Sequence, residues 1–420
     1  MSAPPYDAGA RRLIRAGTRK GVLRMAVFGD SRTRSSHSLD GTKTLAYGFA
    51  HWAEFFSRGR LRIPPSLNFG VNGEDSAAVL SRIAPVLASD ADIVAVFCST
   101  NDTAGSAERA ANLRAIATRV AAAGKTAVMM AELPRNNYTG TMLAQHLQTR
   151  EAILRLADIP GVFVLDMWPE FVDPVSATGN VKPGLTYDGV HMTPRGAQAI
   201  GRKVADLVKL LAPEPGVLPA SNADLYSAVD TPSGNLLANA MVDGTGGTKS
   251  GAGVTGAVAT SWNAVGSTEA VAAFSKVADA AGRAWQQVAL SGTPTNAGMT
   301  VRFSQNVDVA KLSPGDRLEG VCEMEFDAPA SGVTNAVGPW LELLPTATPA
   351  VETVVGGYQN PTGGFGMSAP AAAGPGLVRA PVFTVPPGLT ALTFVVRCYG
   401  QQALPADLVF RVRACALRKV

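Results

Sequence analysis

The chain has 420 residues, of which 46% are apolar and 17% charged, and its formal net charge is +4. That length fits two or three domains with a large core, and the composition excludes a disordered chain. No run reaches the roughly 18 apolar residues that a membrane-spanning helix needs, so a soluble protein without a membrane partner is expected.

The opening residues, MSAPPYDAGA, hold no apolar stretch of the kind that directs secretion. Either the protein works without that route, or the sequence begins after a removed signal; an extracellular or virion-associated place fits both. Arg11, Arg12, Arg15, Arg19, Lys20 and Arg24 then crowd together, and residues 1–22 read as a charged leader. A nucleic-acid site would interleave aromatics with such charges, and these are missing there, so no nucleic-acid partner is expected.

From residue 23 to 212, short apolar runs alternate with longer amphipathic stretches. Residues 23–28, 93–98, 126–131 and 162–165 read as buried strands, and stretches near 44–57, 74–88, 106–122, 141–157 and 194–211 read as helices. This alternation predicts a parallel sheet covered on both faces. The last helix is the best marked, with Thr193 as N-cap, Pro194 at the first helical position and Pro213 past the end. Residues 213–232 carry Pro, Ser and Asp without helical period and read as a linker. Beyond 233 the helical period fades. Runs at 299–303, 317–326, 377–385 and 392–398 predict an all-β sandwich, with 393–398 and 408–412 as paired strands. The tract GTGGTKSGAGVTGA (244–257) reads as a flexible loop.

Four short pieces carry chemistry. Gly29-Asp30-Ser31 follows the first strand, where parallel sheets place their sites. Asn68-Phe69-Gly70-Val71-Asn72-Gly73-Glu74-Asp75 lies between a strand and a helix. Ser99-Thr100-Asn101-Asp102 follows the apolar strand at 93–98. Asp188-Gly189-Val190-His191 precedes the final helix. Each alone is ordinary turn or capping chemistry.

Taken together and in this order, they resemble the four blocks of the SGNH (GDSL-type) hydrolase family over about residues 23–212. The resemblance implies a flavodoxin-like three-layer α/β/α fold, followed here by a jelly-roll-like β-sandwich. It matches Ser31 with the nucleophile, Gly73 with the second-block glycine, Asn101 with the third-block asparagine, and Asp188 and His191 with the acid and base. One position departs: the third block usually reads Gly-x-Asn-Asp, and Ser99 stands in place of the glycine.

Ester hydrolysis explains why these residue types belong together. A serine hydroxyl needs a neighbouring imidazole to take its proton, and a carboxylate holds that imidazole. The resemblance implies an oxyanion hole made by the backbone N–H groups of Ser31 and Gly73 and the Asn101 amide, with no metal or organic cofactor.

Other titratable residues have plainer readings. His37 is near Ser31 and is read as a surface-loop residue rather than a pocket residue. His51 and His146 are structural or solvated. Arg32 and Arg34 flank the nucleophile and either meet an acidic substrate or are surface charge. The histidines do not cluster, so no structural zinc is expected. Cys98 reads as a small hydrophobe, and the spacing of Cys322, Cys398 and Cys415 requires no disulfide.

The opening of the second half, Asn235-Leu236-Leu237-Ala238-Asn239-Ala240 with a later Ser261-Trp262, resembles jelly-roll carbohydrate-binding modules and phage tail β-domains. Trp262, Trp285, Trp340 and Tyr358 either stack on sugars or fill the sandwich core. The expected activity is a carbohydrate O-acetylesterase acting on an acylated polysaccharide, with a homo-oligomer through the β-domain as one arrangement. The alternatives are a short-chain carboxylesterase or lipase, and an adhesin with a vestigial hydrolase half.

Overall fold

The computed structural model describes residues 21–360 and 367–420. Most of the charged leader, including Arg11 to Lys20, lies outside the described residues. The chain divides into two compact units. The first runs to His37 and resumes over residues 46–215; the second comprises residues 38–45 and 216–420.

The first unit is built on strands β1 (Leu23–Gly29), β3 (Leu61–Arg62), β4 (Asn68–Gly70), β5 (Ile93–Phe97), β6 (Thr126–Met130) and β7 (Val162–Leu165); β2 (Lys43–Leu45) falls in the excursion to the second unit. All pairings in this sheet are parallel, in the order β3/β4-β1-β5-β6-β7. Between the strands run α1 (Ser31–Arg34), α2 (Phe49–Ser57), α3 (Ser76–Ser81), α4 (Ala84–Ala88), α5 (Ser106–Ala122), α6 (Gly140–Leu154), α7 (Trp168–Phe171) and α8 (Pro194–Leu211).

Strand side chains alternate between faces. Ala26, Phe28, Val94, Val96, Ala127, Met129, Val162 and Val164 pack with Val79, Leu113, Ile116, Val120 and Ile153 of α3, α5 and α6. The opposite face is covered by α2 and α8, with Phe49 meeting Phe97 edge-on at 6.4 Å. The expected three-layer α/β/α architecture is therefore present. The strand order reverses direction at β1, and open α/β sheets bind their ligands at the carboxyl ends beside such a reversal.

In the second unit, two antiparallel-rich sheets of seven strands each form the sandwich. One runs Lys43–Leu45, Val354–Tyr358, Ala336–Ala347, Leu389–Gly400, Met299–Val307, Val258–Gly266, Gly246–Ser250. The other runs Ala373–Arg379, Arg317–Phe326, Val409–Lys419, Ala284–Leu290, Ala272–Ala278, Val254–Gly256, with Phe383–Thr384 added beside Arg317–Phe326. Phe274 of one sheet meets Phe303 of the other at 6.0 Å. Trp262, Trp285 and Trp340 are all buried, so they fill core and are not platforms for sugar rings. Asn235 is buried as well; it donates to the Cys415 carbonyl at 2.8 Å and accepts from the Leu417 N–H at 2.9 Å.

Three expectations need correction. The stretches 393–398 and 408–412 are not partners; they lie in opposite sheets. The Gly-rich tract 244–257 is not a loop but holds two edge strands, one in each sheet. Its glycines serve close backbone approach: a Cβ at Gly253 would fall 1.7 Å from the Ala270 carbonyl oxygen. The stretch 213–232 is not a free linker. Leu225 bridges Asn235, Asp224 pairs with Arg418, and residues from 216 onward belong to the second unit. No helix among the described residues is long and apolar enough to cross a membrane.

Candidate active site

Three neighbouring strands end side by side. Gly29 of β1 is in register with Gly70 of β4 and with Phe97 of β5. The chain beyond each end carries the first, second and third sequence blocks. Gly29 has φ +154°, and a Cβ there would lie 1.9 Å from the Phe97 carbonyl oxygen, so only glycine fits. The turn that follows places Asp30 as N-cap of α1, its carboxylate accepting from the Arg32 N–H at 2.9 Å. Ser31 is thereby the first helical residue, at the carboxyl end of β1.

The fourth block forms a tight polar turn. The Thr193 N–H donates to the Leu185 carbonyl at 3.0 Å and the Tyr187 N–H to the His191 carbonyl at 3.0 Å. At its tip, Asp188 accepts from the backbone N–H groups of Val190 at 2.9 Å and His191 at 2.7 Å. The other oxygen of Asp188 lies 2.6 Å from His191 Nδ1, and His191 Nε2 lies 2.7 Å from Ser31 Oγ. With Nδ1 protonated, the imidazole donates to Asp188 and accepts from the serine hydroxyl. Burial raises the Asp188 pKa, but the His191 ring and the two backbone donors outweigh it and hold the carboxyl below its ordinary value. The His191 and Asp188 side chains keep 30% and 40% of their surface exposed, so the dyad opens to solvent.

The second and third blocks are tied to this turn. The Val71 N–H donates to the Gly29 carbonyl at 3.0 Å. Gly73 has φ +78° and faces open space. Asn101 Nδ2 donates to the Glu74 carbonyl at 3.1 Å, which joins the third block to the residue after Gly73. Asp102 accepts from the Ser76 N–H and hydroxyl at 3.2 and 2.7 Å, and burial raises its pKa.

Sequence reading misses a buried polar cluster beside Ser31. Arg32 is 2% exposed and lies between two carboxylates, Asp30 at 2.8 Å and Glu132 at 2.9 Å, with its guanidinium 3.8 Å above the Phe97 ring. It is neither an arm for an acidic substrate nor surface charge. Burial raises the Glu132 pKa, but the Arg32 charge and hydrogen bonds prevail and lower it. Ser99 has φ +92° and is buried, with its hydroxyl donating to Glu132 at 2.7 Å. Such a backbone costs a non-glycine residue about 1–3 kcal/mol. A lone Glu after an apolar strand carries no local signal, because its partners lie 100 and 33 residues away.

The remaining histidines are structural. His37 is buried, not on a surface loop; its ring bonds the Ile63 carbonyl and the Asn68 amide, both at 2.9 Å. Burial pushes its pKa down to about 4. His51 is buried on α2, with its pKa lowered to about 3 by burial. His146 is buried and bonds the Leu133 carbonyl at 2.7 Å. Arg34 donates to the His37 carbonyl at 2.8 Å. Tyr187, 55% exposed, stacks on the His191 ring at 5.8 Å and 17°. All four cysteines are free and buried, with Cys322 and Cys415 Sγ atoms 3.3 Å apart. Among the described residues, no group of three or more His, Cys, Asp or Glu is placed to hold a metal ion.

No curated protein matches the chain. Solved structures similar to it include a lipolytic protein of the G-D-S-L family from Veillonella parvula, at 16% identity and TM-score 0.36, covering 44% of this chain and 98% of that one. A GDSL-like lipase from Bacteroides thetaiotaomicron is 16% identical with TM-score 0.35, covering 48% and 98%. A mutant of an acetyl-xylooligosaccharide esterase from Geobacillus Stearmophilus is 16% identical with TM-score 0.37, covering 44% and 94%. The model of the GDSL-like lipase/acylhydrolase family matches residues 27–199. That span holds Ser31, Gly73, Asn101, Asp188 and His191 on a parallel α/β sheet, and it is a domain of the GDSL-like lipase/acylhydrolase family of ester hydrolases.

Proposed function

We propose that this domain is a serine esterase that removes short O-acyl groups, acetyl above all, from a carbohydrate. The observation that carries the reading is the hydrogen-bonded line Asp188–His191–Ser31, at 2.6 and 2.7 Å. In this mechanism Ser31 Oγ attacks the ester carbonyl as His191 Nε2 takes its proton, and Asp188 stabilises the imidazolium. The backbone N–H groups of Ser31 and Gly73 and the Asn101 amide receive the charge on the tetrahedral oxygen, each worth about 3 kcal/mol. His191 returns its proton to the departing sugar hydroxyl. Water, activated by the same imidazole, then releases the acyl group and frees Ser31.

The open dyad and the exposed Tyr187 ring beside it support a bulky polar alcohol carrying a small acyl group. A long-chain lipid ester would call for a deep apolar channel around the serine. The burial of Trp262, Trp285 and Trp340 favours the second reading, a short-chain carboxylesterase whose β-unit does not bind glycan. Acetate release from acetylated xylan, pectin, peptidoglycan and capsule, set beside hydrolysis of p-nitrophenyl acetate and of longer acyl esters, tests both. Turnover of p-nitrophenyl acetate with none on any acetylated glycan favours the second. Unchanged turnover in Ser31→Ala rejects both.

A further inference from the structure

Residue 99 stands where the family pattern has glycine, and its φ of +92° is one that glycine adopts freely and serine does not. It is 2% exposed, so water does not offer its hydroxyl a partner; Glu132 does, at 2.7 Å. The same Glu132 oxygen accepts from Arg32 Nη2 at 3.1 Å, and the other accepts from Nη1 at 2.9 Å. Arg32 Nη2 also donates to Asp30 at 2.8 Å, and Asp30 caps the helix that begins with Ser31. One continuous line of buried bonds thus runs from the turn before Asn101 to the turn that presents the nucleophile.

We propose that Ser99 and Glu132 are positioning residues: the Ser99 hydroxyl, anchored on Glu132, holds the left-handed turn that aims the Asn101 amide, while Glu132 holds the nucleophile turn through Arg32. The inference rests on the reading of Asn101 as an oxyanion donor. A donor at a strand end contributes fully only when its direction is fixed before charge develops. Glycine would take the turn without strain and would need no anchor. Serine strains the turn and supplies the anchor. Because one carboxylate serves both turns, the spacing of nucleophile and oxyanion donor is set by a single buried side chain.

The test uses the full chain and p-nitrophenyl acetate. Ser99→Ala keeps the strain and loses the anchor, and kcat should fall about tenfold with KM unchanged. Ser99→Gly loses both, and should stay within about twofold of the parent, since glycine holds the turn unaided. In an Asn101→Ala background, Ser99→Ala should change kcat by less than about twofold, because it acts through that amide. Glu132→Gln gives the same test from the other side, since its amide nitrogen cannot accept: it faces either Arg32 Nη1 or, turned over, the Ser99 hydroxyl and Arg32 Nη2; it also covers the case in which Ser99→Ala does not fold. An unchanged kcat in Ser99→Ala, an equal loss in Ser99→Gly, or the same loss with Asn101 absent overturns the inference. Ser31→Ala separates the two levels. If it is inactive while Ser99→Ala and Glu132→Gln turn over normally, only this inference fails; if it is active, the catalytic reading itself is wrong.

Discussion

Gly70 sits against the helix that begins with Ser31: a Cβ on Gly70 would lie 2.3 Å from the backbone nitrogen of Arg34. The contact is to backbone, so no side chain can turn aside. Gly70→Ala should therefore displace α1, with an overpacking cost of about 1–3 kcal/mol and a fall in kcat. Gly73 offers the contrast. Its Cβ would meet nothing within 4 Å, but its φ is +78°. Gly73→Ala should cost about 1–2 kcal/mol from the backbone alone while the N–H is retained. Urea unfolding with kcat on the same preparations separates the two; equal behaviour of both variants would refute the packing argument.

Asp188 holds the Nδ1 side of the imidazole, and its carboxylate also closes the turn through two backbone N–H groups. Asp188→Asn offers one oxygen and one amide group, which favours the wrong tautomer while leaving the turn nearly intact. We expect kcat to drop roughly 10⁴-fold with little change in thermal midpoint. A loss below tenfold would mean that Asp188 is a turn residue only.

Acid should destabilise the first unit in stages. His37 and His51 have folded pKa values depressed to about 4 and about 3 by burial. The unfolded value is about 6.5. The unfolded chain therefore binds these protons first, so the stability they contribute is present above about pH 6.5 and is lost as pH falls toward the folded values. Glu132, also lowered, adds its loss below about pH 4.3, the ordinary glutamate value. Urea midpoints between pH 7.5 and 4.5 should fall steadily, and His51→Leu should flatten the slope. A flat parent curve over that range would show that the imidazoles are not buried.

Glu132→Ala should be far more costly than a surface change. It leaves the buried Arg32 with Asp30 as its remaining carboxylate, and removing one partner of such a pair typically costs about 3–5 kcal/mol. A loss under about 1 kcal/mol in chemical unfolding would mean that water reaches the guanidinium.

What could be read along the chain was local. The strand at Ile93–Phe97 and the helix at Pro194–Leu211 announce themselves through apolar runs and through Thr193 and Pro194. The four blocks were legible because their order, not any one of them, is specific. The buried line through Arg32 and Glu132 was not, because an arginine beside a serine is indistinguishable from surface charge until the sheet brings β6 alongside. Ser99 could be seen as a departure from pattern, but its compensation lay 33 residues away. The Gly-rich edge strands were misread because glycine signals turns and close backbone approach alike.

The least legible element is β2. Three residues, Lys43–Leu45, join the sheet of the second unit beside Val354–Tyr358, and the Gly357 N–H donates to the Thr44 hydroxyl at 2.9 Å. A partner 313 residues away leaves no trace in local periodicity. This alters what truncation should do. The four blocks all lie before residue 212, so a fragment ending near Pro215 would be expected to keep its chemistry. Yet residues 38–45 belong to the second unit, and in that fragment Thr44 and Leu45, both buried in the full chain, would lose their sheet. The excursion follows His37, only six residues after Ser31, so disorder there would reach the helix that begins with Ser31 by a short path. We expect the fragment to show a lower thermal midpoint and reduced turnover of p-nitrophenyl acetate. A second fragment, with residues 38–45 replaced by a short Gly/Ser loop, should recover a good part of both, because an exposed half-strand no longer seeks a partner. Gel filtration of the two fragments would detect strand-mediated association in the first. If the simple truncation matches the full chain in midpoint and turnover, the excursion contributes nothing to the hydrolase unit, and the two units are separable modules.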